Sequence, residues 1–251
     1  MPSASKKIIS RLKKLKEAIE KYRYEYHVLD KSSISPEALD SLKRELAALE
    51  ANYPELITSD SPTQRVAGAP LPEFKKVRHE VTQWSFNDAF TEEDIRDFDT
   101  RIKKRLNLGS EERFNLEFVC ELKIDGLKIV LTYEKGLLKT AATRGDGVVG
   151  EDVTHNIRTI ESVPLRLTEP KDIIVEGEAW LAKSTLEKLN RERAKKGEEP
   201  FANPRNLAAG TIRQLDPKMA AERHLDSFIY DIAKSNTPIP PRQFEELKLL
   251  Q

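Results

Sequence analysis

The sequence predicts an α+β protein, in which a helical pair precedes a larger domain of mixed strands and short helices. Two observations support this fold class. Residues 5–52 carry apolar side chains at helical spacing, whereas residues beyond about 70 carry alternating apolar runs that glycine-containing turns separate. Strands and helices do not alternate regularly along the chain, which argues against a doubly wound Rossmann sheet.

Composition limits the classes of function. The 251 residues suffice for one large domain or two smaller ones, and 42 basic residues balance 42 acidic residues, so any basic surface for nucleic acid must be local. Cys120 is the single cysteine, which excludes an internal disulfide and a cysteine-cluster zinc site. Residues 1–10 lack the apolar core of a signal peptide, and no stretch approaches the roughly 20 apolar residues of a membrane span. We therefore expect a cytoplasmic protein with no membrane partner.

The first 52 residues predict two helices that pack as a hairpin. The stripe of the first helix consists of Ile8, Leu12, Leu15, Ile19, Tyr22 and Tyr26. The second helix has Ser35 as N-cap, Pro36 in its first turn, and a stripe of Leu39, Leu42, Leu46 and Leu49. The other face of the first helix is rich in lysine and arginine, and it fits a solvated surface as well as one that faces phosphate. We expect Tyr26, His27 and Asp40 near the open end of the hairpin.

The connection between the two parts has its own composition. Proline, serine, glycine and alanine are frequent here, which predicts an extended linker over residues 61–75. The helical module then covers residues 1–60 and the larger domain residues 76–251. Within that domain, the acidic sequence Thr91–Asp94 predicts a capped helix that runs to about Arg105.

The apolar run Leu116–Tyr133 predicts two strands around a tight turn. In the first strand, Leu116–Ile124, alternation places Phe118, Cys120, Leu122 and Ile124 on one face and Glu117, Glu121 and Lys123 on the other. The second strand, Leu127–Tyr133, forms a hairpin with Leu137–Thr143. Further strands are predicted at Ile173–Trp180 and Leu225–Ile232, and further helices after Thr154, over Leu207–Gln214 and from Phe244.

Lys123 occupies the most informative position. A lysine at the end of a buried strand, beside Asp-Gly, is costly unless it has a chemical role or a partner. A lone Lys-x-Asp-Gly is nevertheless most often a surface lysine on a half-exposed strand. The rest of the chain makes a chemical role for Lys123 the better interpretation. Five short motifs follow one another along the sequence: Glu121–Gly126, Thr143–Gly147, Glu176–Glu178, Phe201–Asn206 and Arg213–Pro217.

Together with Tyr26–Val28 and Asp60–Val66, these stretches resemble the bacterial NAD-dependent DNA ligase family, from about Leu15 to the end of the chain. The resemblance implies a helical module that recognises the nicotinamide mononucleotide half of NAD, followed by an ATP-grasp-like nucleotidyltransferase domain with antiparallel sheets and flanking helices. It implies that Lys123 attacks the α-phosphate of NAD, holds AMP, and passes it to the 5′-phosphate at a nick. NAD, Mg²⁺ and nicked double-stranded DNA follow as cofactors and partner, DNA repair and replication as the context, and we expect a monomer.

The resemblance also assigns residues. The catalytic set is Lys123, Asp125, Arg144, Glu178, Arg205 and Arg213. The cofactor-binding set is Tyr26, His27, Asp40, Ser85, Phe86, Glu121, Leu122, Arg144, Glu178 and Tyr230, with Glu121 at the adenine, Tyr230 stacked on it, and Ser85 and Phe86 lining the pocket. The residue chemistry agrees, because burial and nearby cations lower the pKa of a lysine nucleophile, and carboxylates suit Mg²⁺ or a ribose. The alternatives are an edge-strand charge for Glu121, a core aromatic for Tyr230 and a surface residue for Arg205.

Some positions depart from the family pattern. Pro36 stands where aspartate is usual, and Leu39 stands where tyrosine is usual. These changes remove two polar contacts, each worth on the order of 1 kcal/mol or more, so we predict weakened NAD recognition. Glu176 stands where a basic residue is common, and Trp84 is unusual at its position.

The family pattern continues beyond Gln251 with another strand, a lysine motif and DNA-binding domains. We therefore expect a fragment, a truncated product or a degenerate paralogue, with an open sheet edge.

Three hypotheses about function follow. The first is the adenylating portion of a ligase, and the second is a module that holds NAD, AMP or a partner without sealing nicks. The third is an enzyme that uses ATP. An ATP-using nucleotidyltransferase shares the Lys-x-Asp-Gly core, but Tyr26, His27 and the helical hairpin argue against it. Pro36 and Leu39 keep the binding module open.

Overall fold

The computed structural model describes residues 4–27, 31, 33–65, 73–107 and 116–251, with the side chains of His27 and Pro36 outside that description. Its N-terminal part is the predicted hairpin of α1 (Lys6–His27) and α2 (Pro36–Asn52). Ser35 caps α2, because its hydroxyl oxygen accepts the backbone N–H of Ala38 at 3.3 Å. The two stripes meet in a small core of Leu12, Leu15, Ile19 and Leu46, against which Leu39, Leu42, Leu49 and Leu56 pack.

The chain that leads into the predicted linker, and residues 61–65 of the linker itself, are folded rather than extended. Residues 54–56 and 62–64 form short 3₁₀ turns, Ser61 is buried, and its hydroxyl donates to Glu50 at 2.7 Å. Arg65 is buried too, and its guanidinium donates to the carbonyls of Arg158, Ile160 and Val163 at 3.2, 2.9 and 3.1 Å. These bonds join the helical part to the larger domain. Residues 66–72 lie outside the described part, and the boundaries at 60 and 75 stay predictions.

The larger domain consists of short helices around two antiparallel sheets. Its elements are β1 (Lys76–Arg78), α3 (Glu92–Arg105), β2 (Leu127–Glu134), β3 (Leu137–Thr143), β4 (Val149–Glu151), α4 (Thr154–Ile157), β5 (Ile173–Trp180), α5 (Lys183–Lys195), α6 (Pro204–Ile212), α7 (Pro217–Ala221), β6 (Asp226–Ser235) and α8 (Gln243–Leu249). One sheet has the order β3-β2-β5-β6, and the other pairs β1 with β4. The α+β class is confirmed.

Local sequence explains where several elements begin and end. The β2–β3 hairpin turns at Lys135 and Gly136, which both have positive φ, as a two-residue hairpin loop requires. Thr91 and Asp94 form the predicted capping box of α3. Helix α6 begins three residues before the predicted start, because Asn203 caps it by accepting the N–H of Asn206 at 2.8 Å.

The faces of the four-stranded sheet differ. One face contributes Ile129, Leu131, Val175 and Ala179 to the main hydrophobic core. Alternate residues point the other way, so that Lys128 of β2 lies opposite Glu178 of β5 and Val130 opposite Glu176. We call the side with Lys128, Glu176 and Glu178 the open face.

The predicted strand over Leu116–Ile124 is wrong. Residues 116–125 form no strand, and Phe118 and Leu122 are 55% and 76% exposed. The reason is the lack of a partner. The pairing with β5 ends at Leu127 and the pairing with β3 ends at Ile129, so that no strand among the described residues lies beside the chain before β2. Alternating apolar and polar side chains therefore correspond to a strand only where a second strand runs beside that segment.

None of the helices in the described ranges is long and apolar enough to cross a bilayer.

Candidate active site

Lys123 lies just before β2, in the unpaired segment, with an exposed side chain. Its position depends on Gly126, whose backbone passes tightly against β5. A Cβ on Gly126 would lie 2.2 Å from the carbonyl oxygen of Ala179 and 2.9 Å from Cγ of Glu178. Glycine therefore brings the Lys123 segment to the end of β5. The predicted burial of Lys123 is wrong, since its side chain is exposed.

Glu178 is the carboxylate at the centre of the site. Burial raises its pKa, while Lys123, the backbone N–H of Gly126, Arg205 and Lys128 act in the opposite direction. The Gly126 N–H and the three cations lie close enough to this carboxylate to interact with it. Glu178 therefore joins Lys123 to positive charges from β2 and from α6.

Arg205 reaches the same place from the first turn of α6. Its Nε lies 3.5 Å from Oδ1 of Asp125, and both side chains are exposed, by 64% and 74%. Four of the six residues of the predicted catalytic set thus lie together: Lys123, Asp125, Glu178 and Arg205. An exposed cation at the N-terminus of a helix suits a phosphate group.

Arg144 and Arg213 hold other parts of the domain. The Nε of Arg144 donates to the carbonyl of Gln83 at 3.2 Å, and the Nε of Arg213 donates to Glu151 at 3.1 Å. Within the ranges that the structure describes, no hydrogen bond or ion pair links either guanidinium to Lys123 or Glu178. Their predicted catalytic roles stay predictions.

The aromatic residues form a second group beside Glu178. The ring centroids of Phe86 and Tyr230 are 6.3 Å apart at 59°. Burial raises the pKa of the Tyr230 phenol, and Glu178 and Glu176 add to the rise, which places Tyr230 next to these carboxylates. The amide of Gln243 donates to the Tyr230 carbonyl at 3.0 Å and to Glu121 at 3.3 Å.

The aromatic pair and Glu121 therefore border the same end of the sheet as Lys123. Ser85 lies next to Phe86 on an exposed stretch, and Leu122 is exposed beside Lys123. Of the predicted cofactor-binding residues, Phe86, Glu121, Glu178 and Tyr230 are brought together by these contacts. The arrangement offers an aromatic surface, two carboxylates and several cations, which suits a nucleotide.

The sequence did not single out Lys128. Its Nζ lies 2.6 Å from Glu176 and donates to the carbonyl of Trp84 at 3.1 Å. The unusual Glu176 thus has a partner on the neighbouring strand. The alternation of Leu127–Tyr133 already places Lys128 on the face opposite the core residues. Its pairing with Glu176, however, depends on the register of β2 against β5, which the sequence does not specify.

Near this pair, β6 carries a further carboxyl group. The pKa of Asp231 is raised to about 6 by burial, by the negative charges of Glu176 and Glu246, and by a hydrogen bond with Glu246, against the effect of Lys128. The open face therefore has a strong concentration of acidic groups around one lysine.

The other predicted nucleotide contacts lie on the helical hairpin. Tyr26 near the end of α1 is 64% exposed, and Asp40 near the start of α2 is exposed. Both lie at the end of the hairpin where the chain connects the two helices, so their predicted position at its open end is wrong. The side chain of His27 lies outside the described residues. Leu39 packs against the hairpin core, so it adds no polar contact there. Pro36 occupies the first position of α2, where its missing N–H costs nothing.

The site is an open surface. Two cavities, of about 210 and 230 Å³, lie elsewhere: one is lined by Arg23, Lys43 and Glu161, and the other by Val77, Gln83 and Val130. Among the described residues, no group of three histidine, cysteine or acidic side chains is placed to hold a metal ion. Mg²⁺ bound mainly by substrate phosphates needs only one or two carboxylates, a requirement that Asp125 and Glu178 meet.

Comparison with known proteins gives two family matches. Residues 5–67 match the DNA ligase-like, N-terminal NAD⁺-binding domain, and residues 71–251 match the NAD-dependent DNA ligase adenylation domain. Similar curated proteins named DNA ligase come from Shouchella clausii (47% identity over 241 residues), Brevibacillus brevis (49% over 242) and Anoxybacillus flavithermus (51% over 221). The alignments cover 96%, 96% and 88% of this chain, but 35%, 35% and 32% of the relatives. The chain thus spans about a third of the length of the curated relatives that it matches.

Proposed function

This chain belongs to the NAD-dependent DNA ligase family, and we propose that it carries out the adenylation step, with NAD as the donor of AMP. The observation that carries the proposal is the convergence of Lys123, Glu178 and Arg205 at one end of the open face, beside the pair of Phe86 and Tyr230. The site thus combines a nucleophile, positive charge and an aromatic surface.

In the proposed step, Nζ of Lys123 attacks the α-phosphorus of NAD. A nitrogen–phosphorus bond forms, the bond from that phosphorus to the bridging oxygen breaks, and nicotinamide mononucleotide leaves with the electron pair. The amine must be neutral when it attacks, so one proton leaves Nζ beforehand and a second leaves as the bond forms. The product is AMP attached to Lys123 as a phosphoramidate.

The neighbouring residues have separate proposed roles. Arg205 stabilises the negative charge that increases on the phosphate oxygens in the transition state. Glu178, next to the Gly126 N–H, accepts a hydrogen bond from the ribose, and Tyr230, Phe86 and Glu121 receive the adenine. When Mg²⁺ is bound, Asp125 or Glu178 would hold it, and it would neutralise phosphate charge.

We propose that the helical hairpin recognises the nicotinamide mononucleotide half of NAD through Tyr26, His27 and Asp40. The match of residues 5–67 to an NAD⁺-binding domain supports NAD rather than ATP as the donor. Pro36 and Leu39 lack the polar groups that the family pattern has there, so we expect weaker binding of NAD than in relatives that have them.

The later steps concern DNA. We propose that AMP passes from Lys123 to the 5′-phosphate at a nick in double-stranded DNA, and that the 3′-hydroxyl then displaces AMP and seals the strand. The formal charge of this chain is zero, so its overall field contributes little to DNA affinity. We further propose a monomer in the cytoplasm, which light scattering on the purified chain and fractionation of cells test.

A second candidate function is a module that holds NAD or AMP without transferring it. The exposure of Lys123, in a segment beside which the described residues form no strand, favours this alternative. The two candidates predict different products, because only adenylation leaves AMP covalently attached to the protein.

The test is intact-mass spectrometry after incubation with NAD and Mg²⁺, with ATP in a parallel sample and Lys123→Ala as control. We expect the mass of one AMP to be added with NAD alone, and none in the variant. Addition with ATP alone would contradict NAD as the donor. Folded protein that gains no mass with either nucleotide, but binds NAD by calorimetry, would support the second candidate instead.

A further inference from the structure

Lys128 and Glu176 form a nearly buried ion pair that has no part in the proposed chemistry. Nζ of Lys128 lies 2.6 Å from Oε2 of Glu176, and the two side chains are 13% and 9% exposed. Charges withdrawn from water lose hydration, so a buried pair seldom adds stability over apolar residues of the same size. Its significance therefore lies in what it holds in place.

Among the described residues, the Lys128 side chain makes one hydrogen bond besides this ion pair, and that bond reaches a distant part of the chain. Its Nζ donates to the backbone carbonyl of Trp84 at 3.1 Å. Residues 84–89 have no regular secondary structure. In the part of the chain that the structure describes, this is the only hydrogen bond to those six residues. The next bonds on either side are from Gln83 to Gly147 and from Phe90 to Asp94.

Trp84, whose carbonyl accepts this bond, lies two positions before Phe86. The Phe86 side chain is exposed, and its one aromatic neighbour among the described residues is Tyr230, with ring centroids 6.3 Å apart. A ring on an otherwise unbonded stretch has little else to fix it, so its distance from Tyr230 depends on the bond at Trp84.

We propose that Lys128 is a positioning residue of the nucleotide site: held by Glu176, it ties the Trp84 backbone to β2 and so keeps Phe86 against Tyr230. The role in nucleotide binding rests on the proposed function, whereas the tie itself does not. Glu176 neutralises the lysine and leaves its other N–H groups free to reach the carbonyl. The acid at position 176 and the lysine at position 128 thus act as one unit.

The test requires a variant that loses the tie without leaving a buried charge. Lys128→Met combined with Glu176→Gln removes both charges and the donor to Trp84 while keeping the side-chain sizes. The matched control is Lys139→Met with Glu134→Gln, which removes an exposed pair with a 3.1 Å separation from the neighbouring β2–β3 hairpin. Thermal melting followed by circular dichroism shows that each variant is folded at the temperature used. If the first variant melts too low, Lys128→Leu with Glu176→Leu replaces it, because neither side chain can donate to the Trp84 carbonyl.

The first readout needs no nucleotide. With 4-fluorophenylalanine at position 86, the ¹⁹F chemical shift reports the ring of Tyr230, and Tyr230→Leu supplies the value without that ring. We expect the ¹⁹F chemical shift of the Lys128/Glu176 variant to move most of the way from the value of the unsubstituted protein to that of Tyr230→Leu. The control pair should leave the shift unchanged, and Lys128→Arg, which keeps a charged donor, should restore most of it. A shift in the Lys128/Glu176 variant equal to that of the unsubstituted protein would overturn the proposal.

The second readout is formation of lysyl-AMP at varied NAD concentration. We expect the half-saturating NAD concentration to rise about tenfold with the maximal rate within about threefold, because orientation of the base and not the chemistry is affected. In a Phe86→Ala background, removal of the Lys128 pair should have little further effect. Full additivity of the two changes would contradict an action through Phe86. If the unsubstituted protein forms no lysyl-AMP, the proposed function fails, while the ¹⁹F shift still decides the tie.

Discussion

Arg205 Nε lies 3.5 Å from Asp125 Oδ1, so the first turn of α6 is joined to the chain two residues after Lys123. Both side chains are largely in solvent, and an exposed ion pair contributes only about 0–1 kcal/mol to stability. The pair therefore matters for where Arg205 points, toward the position that the phosphates of NAD are proposed to occupy.

We predict that Arg205→Ala slows formation of lysyl-AMP by about 10- to 100-fold, because it removes a cation that acts on the phosphate in the transition state. The free energy of unfolding should change by less than about 1 kcal/mol. Intact-mass kinetics and urea denaturation measure the two quantities. Arg96→Ala, which removes another exposed pair, with Glu92, is the control and should leave both unchanged. An unaltered adenylation rate in Arg205→Ala would contradict the proposed role.

Gly126→Ala should destabilise the larger domain. The added Cβ would lie 2.2 Å from the carbonyl oxygen of Ala179, and backbone must move to accept it. We expect a loss of about 1–3 kcal/mol in the free energy of unfolding, measured by urea denaturation. Gly210→Ala is the control, since nothing lies within 4 Å of its Cβ on α6. It should stabilise the helix by about 0.5–1 kcal/mol, and an equal effect of both substitutions would refute the steric argument.

Arg65→Met should loosen the helical hairpin from the larger domain. The substitution leaves the carbonyls of Arg158, Ile160 and Val163 without their donors and removes a buried cation, which we expect to cost on the order of 3–5 kcal/mol. Arg11→Met, at an exposed pair with Glu45, should cost less than about 1 kcal/mol. Thermal unfolding gives the stabilities, and limited proteolysis should cut Arg65→Met faster between the two parts. Equal melting temperatures for the two variants would show that the buried guanidinium does not hold the parts together.

Asp231 should make stability fall as the pH rises. Burial and the charges of Glu176 and Glu246 raise its pKa from an ordinary value of 3.8 to about 6, so the folded chain binds this proton more tightly than the unfolded chain does. The stabilisation is complete below about pH 4 and is lost as the pH passes through 6. Because the group is half-buried, we expect a change on the order of 1 kcal/mol rather than the full value of the shift.

Asp231→Asn should therefore raise the melting temperature at pH 7 and flatten its dependence between pH 4 and 6. Asp146 is the control of opposite sign, because the N–H groups of Val149 and Val148 lower the pKa of its carboxyl. Its contribution is present at neutral pH and is lost as the pH falls, so Asp146→Asn should lower stability at pH 7. A lower melting temperature for Asp231→Asn at pH 7 would reverse the proposed sign.

Local signals predicted the elements whose determinants lie within a few residues. The Thr91 capping box, the Ser35 cap and the two-residue turn at Lys135 each act within one turn of chain, so these elements appear at or near their predicted positions. The strand over Leu116–Ile124 failed, because a strand depends on a partner that alternation does not reveal. Alternation predicted β2 correctly, since β3 and β5 flank it.

The site divides in the same way. The resemblance to the family named Lys123, Glu178, Arg205 and Tyr230, and the fold gathers them at one end of the open face. The resemblance did not name Lys128. Its contact with Trp84 spans 44 residues and arises only when β2 lies in register with β5. Long-range pairings of this kind depend on packing of the whole sheet, which local patterns do not contain.

The exposure of the unpaired segment before β2 has a practical consequence. Cys120, the single cysteine of the chain, is a free and exposed thiol three residues before Lys123. A maleimide dye therefore attaches at one defined point next to the nucleophile, without mutagenesis. The emission of such a dye would report the arrival of a nucleotide in real time, and the rate of labelling would record how far a bound nucleotide shields this stretch from solvent.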